Sequence, residues 1–271
     1  MAELDLDHFK TWIGREEQTS DVLTAGLVEK FRATVGLAGE GVPRLIHLCL
    51  AVPAVPLDQV GADGHPRRGG FLPPVPLPRR MWAGGAVTFH DDLKVGDAIQ
   101  RTSRIVDVNI KHGRTGTLCF VDVDHIVTAN GRRAVEERHN IVYRGVDGTA
   151  KAQEPAPQGE KTKRIDPTPL LLFRYSALTF NGHRIHYDYP YVTQEEGYPD
   201  LVVHGPLQAT LLLHFAAEIA GTPPKRFSFR GQSPLFANTP FTLHAKREGE
   251  ALMLWTARDG GPIAMMAQAQ W

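Results

Sequence analysis

The chain predicts an α+β protein of two similar halves, each a long helix wrapped by a curved antiparallel sheet. Three observations predict it. Runs rich in Val, Ile and Thr, joined by Gly or Asn-Gly turns, occur once in each half. A strongly apolar segment with helix start and stop signals precedes the second set. A polar stretch poor in large apolar residues, Gly145 to Pro169, separates the two sets and reads as an exposed linker. A helix with apolar residues nearly all round and a sheet with one apolar face each need a partner, and wrapping one in the other satisfies both.

In chain order, PRLIHLCLAVP, Pro43 to Pro53, reads as the shorter helix of the first half. Seven of the 20 prolines then fall between Pro53 and Pro78, which excludes a regular helix or central strand and predicts a long loop. Ala98 to Asn109, Gly116 to Ala129 and Arg133 to Tyr143 follow as strands, joined at KHGRTG and ANGR, turns that favour residues able to adopt positive φ. Beyond the linker, Pro206 sits at a first helical position and Gly221 at a C-cap. Between them only Thr210, His214 and Glu218, four residues apart, form a polar stripe, so this helix is expected to be largely buried. Phe227 to Leu235, Phe241 to Arg247, Ala251 to Ala257 and Ile263 to Trp271 repeat the strand plan. The expected division is 1–148, a linker at 149–168, and 169–271.

The 271 residues carry 30 basic and 30 acidic side chains, evenly spread between the halves, so the excess positive charge of a nucleic-acid binder is missing. Cys49 and Cys119 are too few for a disulfide scaffold and read as buried thiols of a cytoplasmic protein. The start, MAELDLDHFK, lacks the basic and apolar regions of a secretory signal, and no apolar run reaches about 18 residues, so no membrane partner is expected.

The chemistry is concentrated in FRYSALTFNGHRIHYDYPYV, Phe173 to Val192, where Asn181, His183, Arg184 and His186 lie within six residues. Imidazole exchanges protons near neutral pH, so His186 is the leading acid–base candidate; an isolated His is otherwise most often a satisfied structural residue. His204-Gly205-Pro206 opens the buried helix. The unpaired N–H of Gly205 there is placed to polarise a carbonyl oxygen, although a plain strand-to-helix turn has the same composition. A metal set of His183, His186 and His204 is conceivable, but HExxH, paired CxxC and carboxylate clusters are missing, and none is expected. Nor does the chain contain a GxSxG elbow, P-loop or GxGxxG fingerprint.

These residues resemble the hydratase signature of the MaoC-like hotdog family, with Asn181 and His186 as its residue pair and His204-Gly205-Pro206-Leu207 as its helix start. The resemblance is most specific over Phe173 to Gly221 and extends through FRGQSPLF, Phe229 to Phe236. More weakly, the first half resembles the amino-terminal hotdog of two-domain mesaconyl-, 3-methylfumaryl- and itaconyl-CoA hydratases. The resemblance implies a double hotdog with one active site in the carboxy-terminal half, the first half lacking the catalytic His motif, and an acyl-CoA lying across the interface of the halves. It implies reversible addition of water to a 2-enoyl-CoA, with no cofactor beyond the coenzyme A of the substrate. His186 would be the proton carrier, Asn181 the water-orienting group and Gly205 the oxyanion donor. His183, Arg184, His204 and Arg230 would contact substrate, Arg184 facing a distal carboxylate if not held in an ion pair. Arg67, Arg68, Arg79, Arg80, Lys225 and Arg226 are further candidates for the coenzyme phosphates.

One departure stands out: related single-hotdog hydratases carry Asp where this chain has Asn181, and an amide cannot act as a general base. Asp188 or Glu218 is a candidate for the missing carboxylate. The alternatives are a 3-hydroxyacyl-thioester dehydratase of fatty-acid metabolism, a thioesterase, or a non-catalytic acyl-thioester binding module. The last is disfavoured by a proton carrier standing beside an oxyanion donor. Two hotdogs in one chain replace the usual dimer of single ones, and a homodimer of whole chains stays open.

Overall fold

Alternation and turn chemistry set the strands, and their pairing sets everything else. The computed structural model describes residues 4–113, 116–145 and 153–271. The first half contains α1 (Leu6–Lys10), β1 (Glu16–Val22), α2 (Ala25–Val35), β2 (Arg79–Phe89), β3 (Ala98–Gly113), β4 (Gly116–Ala129) and β5 (Arg132–Arg144). The second contains β6 (Lys161–Ile165), α3 (Pro169–Leu178), α4 (Gly205–Ala220), β7 (Arg226–Gly231), β8 (Phe241–Glu248), β9 (Ala251–Arg258) and β10 (Ile263–Gln270). All pair antiparallel in one ten-stranded sheet of order β1-β3-β4-β5-β2-β7-β10-β9-β8-β6. The expected meanders are present, and the Arg114–Thr115 tip of the first lies outside the described residues.

The two halves meet edge to edge where β2 pairs with β7, Gly84 opposite Arg230 and Gly85 opposite Phe229. The MWAGG sequence explains how two sheets merge here. A register shift between Trp82 and Gly84 bends β2. A methyl on Gly85 would overlap the Arg138 carbonyl oxygen, and its space is taken by the Phe229 ring. Only glycine lets the two strands approach so closely.

Helix α4 begins behind His204, carries Pro206 in its first turn and ends at Gly221 in the left-handed conformation (φ 74°). It packs against β2, β7, β8, β9 and β10. Leu207, Ala209, Leu212, Leu213 and Ala216 are fully buried. Its polar stripe is satisfied one residue at a time. Thr210 Oγ1 donates to Pro206 O (2.8 Å), His214 Nε2 meets Arg44 O (3.0 Å), and Glu218 pairs with Lys163 (2.6 Å).

In the first half the expected shorter helix is replaced. Pro43 to Pro53 forms only a 3-10 turn, Ile46–Cys49, because Leu45 (φ 64°) and Ala51 (φ 49°) take left-handed conformations on either side of it. The helix of this half is instead α2, ended by Gly36 at φ 71°, and it packs on α3. Below the sheet lies a buried polar cluster. Glu137 is met by His47 Nε2 (3.1 Å) and His139 Nε2 (3.0 Å), and His139 by His125 (3.1 Å). Burial alone would raise the Glu137 carboxyl, but the His139 and His47 imidazoles hold it well below the usual range.

The long proline loop does form, and it covers the far end of the sheet. Val75 joins Phe9, Trp12, Val108, Val121 and Tyr143 in a second core, with Arg68 donating to the Val75, Leu77 and Pro78 carbonyls. The stretch expected as an exposed linker over 149–168 differs in its second part. Residues 149–152 lie outside the described residues, but Trp255 Nε1 donates to Pro157 O (3.0 Å) and Lys161–Ile165 forms β6 against β8. Its sequence KTKRI has the charged, exposed side chains suited to a sheet edge. Both cysteines are free and buried, and burial pushes their thiols up to about 12 for Cys49 and about 11 for Cys119.

Candidate active site

Helix α3 is capped by Thr168, whose hydroxyl accepts from Leu171 N, and it ends at Leu178. The chain then turns through Phe180 (φ 48°) into the 3-10 turn Arg184–His186. An isolated bridge between Val202 and Phe236 leads the chain into α4. These elements bring Asn181, His183, His186, His204 and Gly205 into one region, at the seam of the two halves.

His186 is 7% exposed, and its Nδ1 donates to Val202 O (2.7 Å), which fixes the proton on Nδ1 and leaves Nε2 as a lone-pair acceptor. Burial lowers it to about 4, against a smaller upward pull from the Val202 carbonyl. The ring is therefore neutral at physiological pH and able to accept a proton. It stacks on His204 (centroids 3.6 Å apart, 18°), which is fully buried and bonded through Nε2 to Ser176 Oγ (2.8 Å). Burial, then the neighbouring His186 and His183, hold His204 well below its usual range. His204 is thus a spacer that seats His186 and opens α4.

Gly205 begins α4 with its Cα turned toward Trp82 of β2. A Cβ there would lie 3.1 Å from Trp82 Cε3, so glycine admits the first-half tryptophan to the helix start. Trp82 Nε1 and His204 Nδ1 are buried and make no hydrogen bond among the described residues. Orphaned buried polar atoms are uncommon in proteins, and two of them beside the start of α4 suit a site built to receive polar atoms of a ligand.

Asn181 Oδ1 accepts from His183 N (3.0 Å), which leaves its Nδ2 as the outward donor. The Arg184 guanidinium is engaged on all sides. Nε and Nη2 meet Asp188 (2.9 and 2.8 Å), Nη1 donates to Ala62 O (2.9 Å), and the group lies over the Tyr191 ring at 4.2 Å. Arg230 is exposed on β7, on the face opposite buried Phe229. Of the further cations, Arg79 pairs with Glu196 (3.1 Å) and Arg68 is spent on loop carbonyls. Neither proposed substitute for the missing carboxylate is free: Asp188 holds Arg184, and Glu218 holds Lys163.

The carboxylate that does enter this region was not expected. It comes from the first-half loop, at Asp63 in the sequence Asp63-Gly64-His65. Asp63 Oδ2 bonds His65 Nδ1 (3.0 Å), and the His65 ring lies 4.1 Å from that of His183, whose ring in turn stands edge-on to His186 at 5.4 Å. Burial alone would raise Asp63, but the His65 ring and the Arg80 charge hold it well below the carboxylate range. Asp63, His65 and His183 bring three donor atoms within 4.8 Å of one another. The carboxylate and the first imidazole are spent on each other, the geometry of a hydrogen-bonded pair. The expected set of His183, His186 and His204 is not the group that converges among the described residues; the group that does is Asp63, His65 and His183. Beside the loop a cleft of about 410 Å³ opens between Asp63, Arg67, Arg68 and Pro78 of the first half and Tyr191 of the second. Asp-Gly-His in a proline-rich loop was the available signal: two titratable groups held two residues apart by a glycine.

The family model for hydroxyacyl-thioester dehydratase type 2 matches residues 45–237, a span that takes in Asp63, Trp82 and every residue of the His186 region. The chain belongs to this family. As a type 2 hydroxyacyl-thioester dehydratase relative, it is 41% identical over 269 residues to mesaconyl-C(4)-CoA hydratase of Chloroflexus aurantiacus, covering 96% of each chain. It is 39% identical over 248 residues to the mitochondrial hydroxyacyl-thioester dehydratase type 2 of Schizosaccharomyces pombe, covering 80% of this chain and 82% of that one. A solved structure of a MaoC-like dehydratase from Phytophthora capsici superposes with a TM-score of 0.73 at 14% identity, covering 99% of both chains, and so shares the fold. The hydratase and dehydratase names describe one reaction in opposite directions. Among the described residues no helix is long and apolar enough to cross a membrane.

Proposed function

We propose that this protein adds water reversibly across the double bond of a short, branched dicarboxylic 2-enoyl-CoA, mesaconyl-C(4)-CoA being the first candidate. The observation that carries the reading is His186: a buried, neutral imidazole with Nδ1 pinned and Nε2 free, beside the start of α4. The near full-length likeness to a mesaconyl-C(4)-CoA hydratase supports the acyl group.

In this reading the thioester carbonyl lies at Gly205 N–H, where the unpaired amide and the helix dipole favour negative charge. His186 Nε2 takes a proton from water as the new C–O bond forms at the β-carbon. The π pair moves onto the α-carbon and carbonyl as an enolate, and the imidazolium returns its proton to the α-carbon. Asn181 Nδ2 holds the water in line. Arg80 serves the distal carboxylate. It shares a face of β2 with Trp82, stands opposite Tyr143, and its charge is felt by Asp63, His65 and His183. Arg184, already shared by Asp188 and Ala62 O, is a brace between the halves.

The test is to incubate the protein separately with mesaconyl-C(4)-, itaconyl- and crotonyl-CoA and follow each by mass spectrometry for gain of one water. Gain of water on the dicarboxylic esters, lost in a folded His186→Ala variant, is expected. Binding without product returns the protein to a thioester-binding module, and release of free thiol to a thioesterase. The family match favours a second reading, dehydration of straight-chain 3-hydroxyacyl thioesters. Faster turnover of a 3-hydroxybutyryl ester than of any dicarboxylic one selects it.

A further inference from the structure

The most unusual feature near His186 is that the carboxylate closest in the chain of contacts belongs to the other half. Asp63 grips His65 twice, Oδ2 to Nδ1 (3.0 Å) and Oδ1 to the backbone N–H (3.0 Å). This sets the proton of His65 on Nδ1 and aims the rest of the ring at His183. The loop cannot drift from the second half. A methyl on Gly64 would overlap the Gly182 carbonyl oxygen, and one on Gly182 would lie 2.6 Å from Gly64 O. Arg184 N donates to Asp63 O (2.9 Å), and Arg184 Nη1 to Ala62 O (2.9 Å). Residues 62–65 and 181–186 therefore form one unit, and the line of contacts runs through it from Asp63 to His65, His183 and His186, and on to His204 and Ser176.

We infer that the Asp63–His65 pair supplies this site with the negative charge that Asn181 lacks, acting on His186 across the His183 ring as a positioning pair donated by the first half. Asn181 can orient water but offers no negative charge, and its Oδ1 already accepts from His183 N. In a catalytic triad the carboxylate is bonded to the base imidazole and stabilises its charged form; here the carboxylate is bonded to His65, and its charge reaches His186 across the His183 ring, over ring contacts of 4.1 and 5.4 Å. Asp63 is the acidic residue in this array, since Asp188 is neutralised by Arg184. The inference rests on the hydratase reading for its kinetic consequences.

The experiment compares Asp63→Asn, His65→Ala and the double variant Asp63→Asn with Asn181→Asp against the wild type, measuring kcat and KM for the hydrated ester. Asp63→Asn and His65→Ala are expected to lower kcat by about 100-fold with KM changed less than about threefold, while thermal unfolding stays cooperative. A new carboxylate at position 181 should return about tenfold or more of the rate lost in Asp63→Asn. The single variant Asn181→Asp is the reference: a gain there as large as in the Asp63→Asn background means only a new base at 181 and overturns the inference, as do absence of rescue and a normal kcat in Asp63→Asn. Metal analysis of the purified wild type is run alongside: one equivalent of a divalent metal lost in His65→Ala makes the three residues a metal site instead. Imidazole nitrogen NMR reads the pair without turnover, so that a wild type inactive on every ester sinks the hydratase reading alone. Asp63→Asn should then move the His183 and His186 resonances as well as that of His65, and a shift confined to His65 overturns the coupling.

Discussion

At the scale of single residues, the decisive property is the protonation state of buried imidazoles. His186 is neutral because burial lowers it to about 4, so its base form dominates at every pH above that value. The rate of hydration under limiting substrate should therefore stay level from pH 7 down to about 5 and fall only near pH 4, instead of halving near the ordinary histidine value of about 6.5. A pH profile of kcat/KM with an acid limb centred at 6 to 7 would show that some other group is the base. Arg80 yields a second residue-scale outcome. Arg80→Gln should raise KM for mesaconyl-C(4)-CoA by at least about tenfold, one charge-assisted hydrogen bond, and leave crotonyl-CoA nearly unaffected. Equal effects on both esters would mean that Arg80 meets the coenzyme or the scaffold and not the acyl carboxylate. His186, Asn181 and Gly205 could be singled out from residue type and order alone, because they lie in one continuous segment. Asp63, His65 and Trp82 could not be assigned to the site, and Arg80 stood only among the candidates for the coenzyme phosphates, because they approach through a loop and a strand about 100 residues away, and only the fold sets that distance.

At the scale of elements, the same distinction explains what was legible. Helix α4 and the two meanders declare themselves through apolar period, Pro and Gly punctuation and Asn-Gly turns, all local signals. Helix α2, strand β2 and the 3-10 turn at Ile46–Cys49 depend on neighbours. PRLIHLCLAVP has helical composition, but Leu45 and Ala51 take positive φ. His47 is held against Glu137 beneath the sheet. Glu137 is 4% exposed and faces two imidazoles, so Glu137→Gln removes the charge that His47 and His139 are arranged around. Breaking a buried pair from one side costs about 3 to 5 kcal/mol. Urea unfolding should show that loss without a change in KM, since the cluster meets the site at the edge of His139 on Trp82 and holds none of the groups assigned to the substrate. A loss below about 1 kcal/mol would mean that the cluster relaxes or admits solvent.

At the scale of the whole molecule, the ten strands form one sheet only because β2 and β7 meet, and the site lies at that seam. Buried histidines, His186 and His204 at this seam and His125 in the Glu137 cluster among them, make the stability of the fold depend on acid in a definite direction. Folded His186 titrates at about 4 and folded His214 also at about 4, each because burial disfavours the charged ring. His204, His183 and His125 are lowered for the same first reason. In the unfolded chain all return to about 6.5. The unfolded state therefore binds more protons below pH 6.5, and stability falls as pH drops from about 6.5 toward about 4, where the loss from His186 and His214 is complete while that from the more strongly lowered His204, His183 and His125 continues. A depression from 6.5 to about 4 corresponds to about 3 kcal/mol for His186. Even one such group is a large share of the roughly 5 to 15 kcal/mol that holds an ordinary domain together. Carboxylates held low, Asp63 and Glu137 among them, add their own loss only at lower pH. Urea midpoints should accordingly drop between pH 7 and pH 5, before the carboxylates held low titrate. Phe in place of His214, which removes one ionisable ring away from the chemistry, should reduce that drop. A midpoint unchanged down to pH 5 would mean that the seam opens to water and the buried rings titrate as they do in the unfolded chain.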